Sequence, residues 1–251
     1  MTKPVTMRLL RGLSLSLIFW IVIPETSWSQ ALTLDLNNEV LGSGSGKILQ
    51  MLALLTILSL APAILMMVTS FTRIIVVLSF IRTAMGIQQA PPNTVLISLA
   101  LFLTAFIMTP TMEKIYDDAL KPLIEEEINE IEAWERGTAP VKEFMLHHVR
   151  EQDLKLFLEL AEIGEIATPE ATPLRALIPA FMISELRRAF EIGFLIFLPF
   201  LIIDMVVASI LMSMGMMMLP PIMISLPFKL IFFVMVDGWY MIAGSLVRSF
   251  G

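Results

Sequence analysis

Apolar positions run along this chain in long blocks. They do not follow the every-second or every-third rhythm of an element with one face in water. Ile48–Phe71 is the first block, interrupted by Pro62, and Ile74–Ile81 extends it between Arg73 and Arg82. Pro91-Pro92-Asn93 turns the chain into Thr94–Met112, and after a long interval come Ile192–Met214 and Ile222–Val247. Each block is near the ~20 residues a helix needs to cross a hydrocarbon core, so hydropathy predicts four transmembrane helices. Residues 113–173 are of another kind. There Phe144, His148, Leu154, Phe157, Leu158 and Leu160 recur among charges at helical spacing. This predicts an amphipathic subdomain of two or three helices, split at Gly137-Thr138-Ala139-Pro140. The expected fold is all-α, with apolar helical hairpins over 48–112 and 174–251 flanking the subdomain at 113–173.

Composition removes the soluble alternative. The 251 residues are 57% apolar and 16% charged, against roughly 45–50% and about 25% for soluble domains. Mean hydropathy is +0.81. A free soluble fold of this kind would expose large apolar patches, so the surface must be shared with lipid, other subunits, or both. The middle segment holds 16 of the 23 acidic and 6 of the 17 basic residues, about −10 net, leaving about +4 for the remainder. A net charge of −6 argues against a nucleic-acid partner. The absence of cysteine excludes disulfides, thiolate metal sites and cysteine nucleophiles.

The first residues read as a targeting segment. Lys3, Arg8 and Arg11 precede the short apolar run Leu13–Ile23, then Pro24 and the small residues Ser27 and Ser29. That order is a secretory signal peptide over 1–29, cleaved after Ser29; the alternative is an uncleaved anchor. Residues 30–47 form a polar leader. Within it, Gly42-Ser43-Gly44-Ser45-Gly46-Lys47 imitates a phosphate-binding loop, but Leu41 and Ile48 stand where that motif needs Gly and Ser or Thr. A cleaved chain starts outside, which puts Arg73 and Arg82 on the cytoplasmic side, as basic residues prefer, and the acidic subdomain on the periplasmic side.

Charges inside the apolar blocks are the first functional candidates. A lone carboxylate at the bilayer centre costs about 2.5–3.5 kcal/mol on insertion scales. Asp204 and Asp237 therefore face protein or a wet pore, in structural hydrogen bonds or in a proton relay. Glu185 with Arg188, and Arg187 with Glu191, sit at pairing distance on one helix; Glu185 could instead reach an adjacent copy. Methionine is the second candidate. Met212, Met214, Met216, Met217 and Met218 surround Gly215 just before Pro220-Pro221, at a bend between apolar helices. Flexible thioethers there could plug a hole or simply fill space, and the spacing also suits Cu(I). No nucleophile-base arrangement, nucleotide loop or zinc signature appears, so the expectation is no enzyme and no cofactor.

Several blocks together resemble the FliP family of bacterial flagellar type III export proteins. They are Phe71-Thr72-Arg73-Ile74-Ile75-Val76; Ala90-Pro91-Pro92-Asn93 leading to Leu99–Thr104; Pro179-Ala180-Phe181-Met182-Ile183-Ser184-Glu185-Leu186 with Ala189-Phe190; Pro199–Met205 running to Gly215–Met218 and Pro220-Pro221; and Val236-Asp237-Gly238-Trp239. The resemblance implies a homopentamer joined by FliR-like and FliQ-like subunits, beside FlhB-like and FlhA-like components. The assembly is a spiral of helices around the inner-membrane export gate of the basal body, projecting to the periplasmic side. It conducts unfolded flagellar subunits, with Met216, Met217 and Met218 as a gasket. Glu185, Arg188, Phe144 and Phe157 are implied at subunit contacts. Virulence-type secretion homologues share several blocks, and a solute or ion transporter using Asp204 and Asp237 is the other class.

Overall fold

The computed structural model describes residues 44–87, 89–164, 166, 168–216 and 218–251. The signal peptide, residues 30–43 of the leader, and Met217 lie outside them. The chain forms two compact units, residues 1–54 and 55–251. Of the first, the described part is the opening of helix α1, Gly44–Met67. Helix thus begins within the stretch read from sequence as a polar leader.

In the second unit every described regular element is helical, as the apolar blocks predict. Helix α2, Phe71–Ala84, is the hub. Its Ile74, Val77, Leu78, Ile81 and Ala84 are almost wholly buried, spaced three and four apart on one stripe. Against that stripe pack α3, Asn93–Ile115, and α6, Leu174–Ser213. Two shorter helices, α7 (Pro221–Met235) and α8 (Gly238–Arg248), complete this core through Phe233 and Leu246. A second core joins α4, Glu130–His148, and α5, Glu151–Leu160, to the start of α6 through Met145, Leu177 and Phe181.

Several boundaries differ from the hydropathy reading. The second block does not stop at Met112. It continues through a π turn, Tyr116–Leu120, to Ile124. The third block is the lower part of a helix of 40 residues, about 60 Å long at 1.5 Å per residue, twice a hydrocarbon core. Its first turns lie in the second core, leaving the rest as the apolar span. The subdomain is not split at Gly137–Pro140: α4 runs through them. Asn129 caps its start by accepting the Glu132 N–H at 2.9 Å. At Gly137 an added Cβ would meet the Ala119 methyl at 3.4 Å, an ordinary van der Waals contact. The break falls at Val149-Arg150.

Asn93–Ile124 and Leu174–Ser213 are each long and apolar enough to cross a membrane. The fourth block is α7 and α8 bent by 62°. Asp237 sits at that bend with φ +50° and ψ +55°, a region costly for a non-glycine residue, so it lies at an elbow and not inside a helix. A Cβ on the next residue, Gly238, would stand 2.3–2.6 Å from the Phe233 ring, and one on Gly193 2.5 Å from Phe80. Gly193→Ala and Gly238→Ala are expected to destabilise the protein by about 1–3 kcal/mol each. Gly164→Ala, in open space, leaves stability unchanged. Thermal unfolding of the detergent-purified variants checks this; three equal melting points would refute the packing argument.

Candidate functional site

The charges inside the helices find partners that sequence spacing did not show. Glu185, wholly buried on α6, does not pair with Arg188. Both its oxygens are held by Arg73 of α2, through Nε at 2.8 Å and Nη2 at 2.5 Å. Arg73 is itself 1% exposed, and its Nη1 donates to the carbonyl and hydroxyl oxygens of Ser249, both at 2.9 Å. Its guanidinium lies 3.6 Å from the centre of the Phe250 ring, a favourable face for a cation. The bidentate fork is a geometry that suits arginine and not lysine. Both oxygens of Glu185 are thus engaged inside its own chain. Arg188 is half-buried one turn further on. The expected Arg187–Glu191 pair is present, exposed, at 2.9 Å.

Around Phe250 the subdomain closes the arrangement. Phe144 of α4 stacks near it with centroids 6.1 Å apart and meets Phe181 of α6 edge-on at 6.0 Å. His148 is 4.5 Å from Phe144, with Nδ1 at 2.7 Å from the Phe144 carbonyl. Burial, reinforced by the nearby Arg73 charge, pushes the His148 imidazole below its ordinary value, against hydrogen bonds to the Phe144 and Phe250 carbonyls. Phe157 is half-buried on α5, the helix that Ser184 of α6 anchors by donating to Asp153 at 2.7 Å.

A second ion pair holds the other end. Asp204 accepts from Lys229 Nζ and from the Ser225 hydroxyl, both at 2.5 Å. Lys229 is almost fully buried, and it also donates to the Ala84 carbonyl at the end of α2, at 3.2 Å. One cation therefore ties α6, α7 and the negative end of α2 together. Lys229 and Arg73 are the functional partners that the sequence reading passed over as such. The available signal was that each is a lone cation in an apolar block, where charges pair with one another. Asp237, by contrast, is exposed.

The methionine bend follows from local chemistry. Helix α6 ends in a double closure: the Met216 N–H bonds the Leu211 carbonyl at 3.0 Å, and the Gly215 N–H the Met212 carbonyl at 3.1 Å. Gly215 has φ +72°, the left-handed stop that glycine alone adopts without cost. Pro220 and Pro221 then open α7. Between these fixed ends Met214 is 66% and Met218 99% exposed, with Met216 at 39%. The tip is apolar and bare, and the stalk beneath it is locked.

Helices long and apolar enough to cross a membrane, pinned by internal ion pairs and carrying an exposed apolar tip, define a helical membrane component. The chain matches the FliP family over residues 54–246. It is 58% identical to the flagellar biosynthetic protein FliP of Caulobacter vibrioides, over 91% of this chain and 86% of that one. It is 57% identical to that of Bacillus subtilis, over 80% and 91%, and 53% to that of Pectobacterium carotovorum, over 95% and 92%. The chain belongs to the FliP family, and is thereby a flagellar biosynthesis protein of the export apparatus.

Removing one partner of a buried ion pair strands the other charge, a loss of about 3–5 kcal/mol. Arg73→Met and Glu185→Leu are each expected to lose that much, and the double variant clearly less than either; additive losses in chemical unfolding would contradict the pairing. His148 gives a pH signature. Its folded value lies below the unfolded one near 6.5. Its contribution is therefore complete above about pH 6.5 and is lost as pH falls towards the folded value. His148→Gln should flatten the melting temperature between roughly pH 5 and 7; an unchanged slope would assign the acid sensitivity elsewhere.

Proposed function

We propose that this chain is a pore-lining subunit of the flagellar export gate, working as a homopentamer with FliR-like and FliQ-like subunits. FlhB-like and FlhA-like export components stand alongside it in the inner membrane, and the assembly projects to the periplasmic side. Unfolded flagellar proteins are the cargo. The observation that carries this reading is the methionine tip: Met218 at 99% exposure, on a bend closed at both ends, in a member of a flagellar family. Copies arranged around an axis would bring such tips into a ring with Met216 and Met217. A narrow ring of thioethers excludes ions by dewetting. It yields to a passing chain because methionine is unbranched and rotates freely, and it offers no fixed hydrogen bonds to trap cargo.

Glu185 fits an indirect role at subunit contacts. It holds α6 against α2, and with Arg188, Phe144 and Phe157 it sets the shape of the face that neighbours meet. Asp204 supports the bend through Lys229, which accounts for a half-buried carboxylate without a proton relay. Asp237 shapes the elbow between α7 and α8.

Cells in which Met216, Met217 and Met218 are all replaced by glycine should leak small ions while still secreting flagellar subunits. Membrane-potential dye and secreted-protein assays, read together, decide it. A tight membrane with normal export would remove the gasket.

A further inference from the structure

One carboxylate of the apolar helices has no partner of its own. Glu185, Glu191 and Asp204 are held by Arg73, Arg187 and Lys229. Asp237 is exposed at the elbow between α7 and α8, and its side chain makes no ion pair, hydrogen bond or helix cap among the described residues. Around it Val234, Met235 and Tyr240 are 75%, 81% and 74% exposed, so the acid stands in an apolar collar. Its depth follows from ring contacts. Gly238 packs on the Phe233 ring, which lies 5.3 Å from Trp239 and 6.3 Å from Phe200 of α6. The apolar run of α6 extends from Ile192, just past the Arg187–Glu191 pair, to Ser213. Phe200 is about 12 Å from its upper end and about 20 Å from its lower. Phe194 and Leu195, above the level of the elbow, are exposed too. The carboxylate is therefore at mid-height on an apolar surface and not at its edge.

We infer that the α7/α8 elbow docks an apolar helix of a different polypeptide, and that a lysine or arginine set among the apolar residues of that helix pairs with Asp237. This rests on the reading of the chain as one subunit of a larger gate, and adds a point of contact and its chemistry. A carboxylate at this depth is costly against lipid and is met by protein groups or a wet cavity. The positive end of α8 supplies only a fraction of a charge, and the side chain forms no cap with it. The left-handed backbone of the same residue adds a cost that local packing does not call for. A second copy, turned about an axis along the helices, brings no free cation to this height. On α2, α3 and α6–α8, Arg73, Lys114, Arg187 and Lys229 are already in ion pairs, and Arg82 donates to Asn93 at 2.5 Å. Arg175, Arg188 and Arg248 lie about 16 Å or more along their helices from the elbow's level.

Asparagine and glycine both accept a left-handed backbone, so Asp237→Asn and Asp237→Gly remove the charge and keep the elbow. The melting point of each isolated variant should equal or exceed that of the unchanged chain. Co-expressed with the other export subunits and weighed as native complexes, both variants should carry about fivefold less of one second polypeptide. Asp237→Glu should retain it. Benzoylphenylalanine in place of Tyr240 should cross-link to that polypeptide, on a peptide with a basic residue in an apolar run. Asp237→Lys combined with that basic residue changed to Asp should restore the complex. Asn and Gly variants with unchanged complexes would overturn the contact and leave the gate reading standing. Cross-links only to lipid, or only to a second copy of this chain, overturn it as well. So does a lower melting point for the isolated Asn variant, which would make the carboxylate structural. An unchanged chain that purifies without any other subunit removes the gate reading together with the contact.

Discussion

Arg73 and Glu185 are both withdrawn from solvent in a fold made of apolar helices, and neither can be left alone there. An isolated charge in such surroundings costs several kcal/mol, so the two side chains must meet, and their meeting sets the distance between α2 and α6. The remaining guanidinium donors then require acceptors. They take Ser249, which brings Phe250 beneath the cation and the aromatic face of α4 against Phe250. The electrostatic needs of one arginine thus join the apolar core to the acidic subdomain. Weak dispersion contacts among interchangeable leucines and isoleucines could not impose so specific a register.

Lys229 does the same at the opposite end of α2. It neutralises Asp204 and satisfies the helix-terminal carbonyl of Ala84, so the α6–α7 hairpin is tied about three helical turns below its tip. Among the described residues, Met214, Met216 and Met218 at the bend and large apolar side chains on α3, α6, α7 and α8 stay exposed. A stalk tied by hydrogen bonds beneath an exposed apolar tip is the arrangement that the proposed gasket requires. The uncovered faces explain where a 57% apolar composition goes: it covers surfaces meant for lipid or other subunits, since the internal cores use only part of it.

Much was readable without coordinates. The blocks of apolar residues forecast the helices, Gly215 with Pro220-Pro221 marked the bend, and the ordered motifs pointed to the family. Other features were not readable. Arg73 and Glu185 are 112 positions apart, and no helical period relates them. Arg188, one turn from Glu185, was the better partner by sequence, but both carboxylate oxygens are taken by Arg73 and Arg188 makes no ion pair with them. Proline and glycine at 137–140 looked like a break because local propensity says so; the helix nevertheless runs through them, from its Asn129 cap to His148. Asp237-Gly238 is a turn dipeptide whose Asp tolerates the left-handed region, a local sign that the apolar run around it masked.

By itself the sequence determined what each segment wants: helix, apolar surroundings, an abrupt stop at Gly215, and a partner for every charge inside the apolar blocks. These are local or compositional demands, governed by backbone sterics and transfer free energies, and they act wherever the segment sits. Only the tertiary structure decided which charge meets which, where the long helix leaves the subdomain and enters the apolar span, and which faces stay bare. Those outcomes depend on how helices cross in space. Many pairings satisfy the same composition; this arrangement also pairs the ions of the apolar blocks and accommodates the close approaches at Gly193 and Gly238.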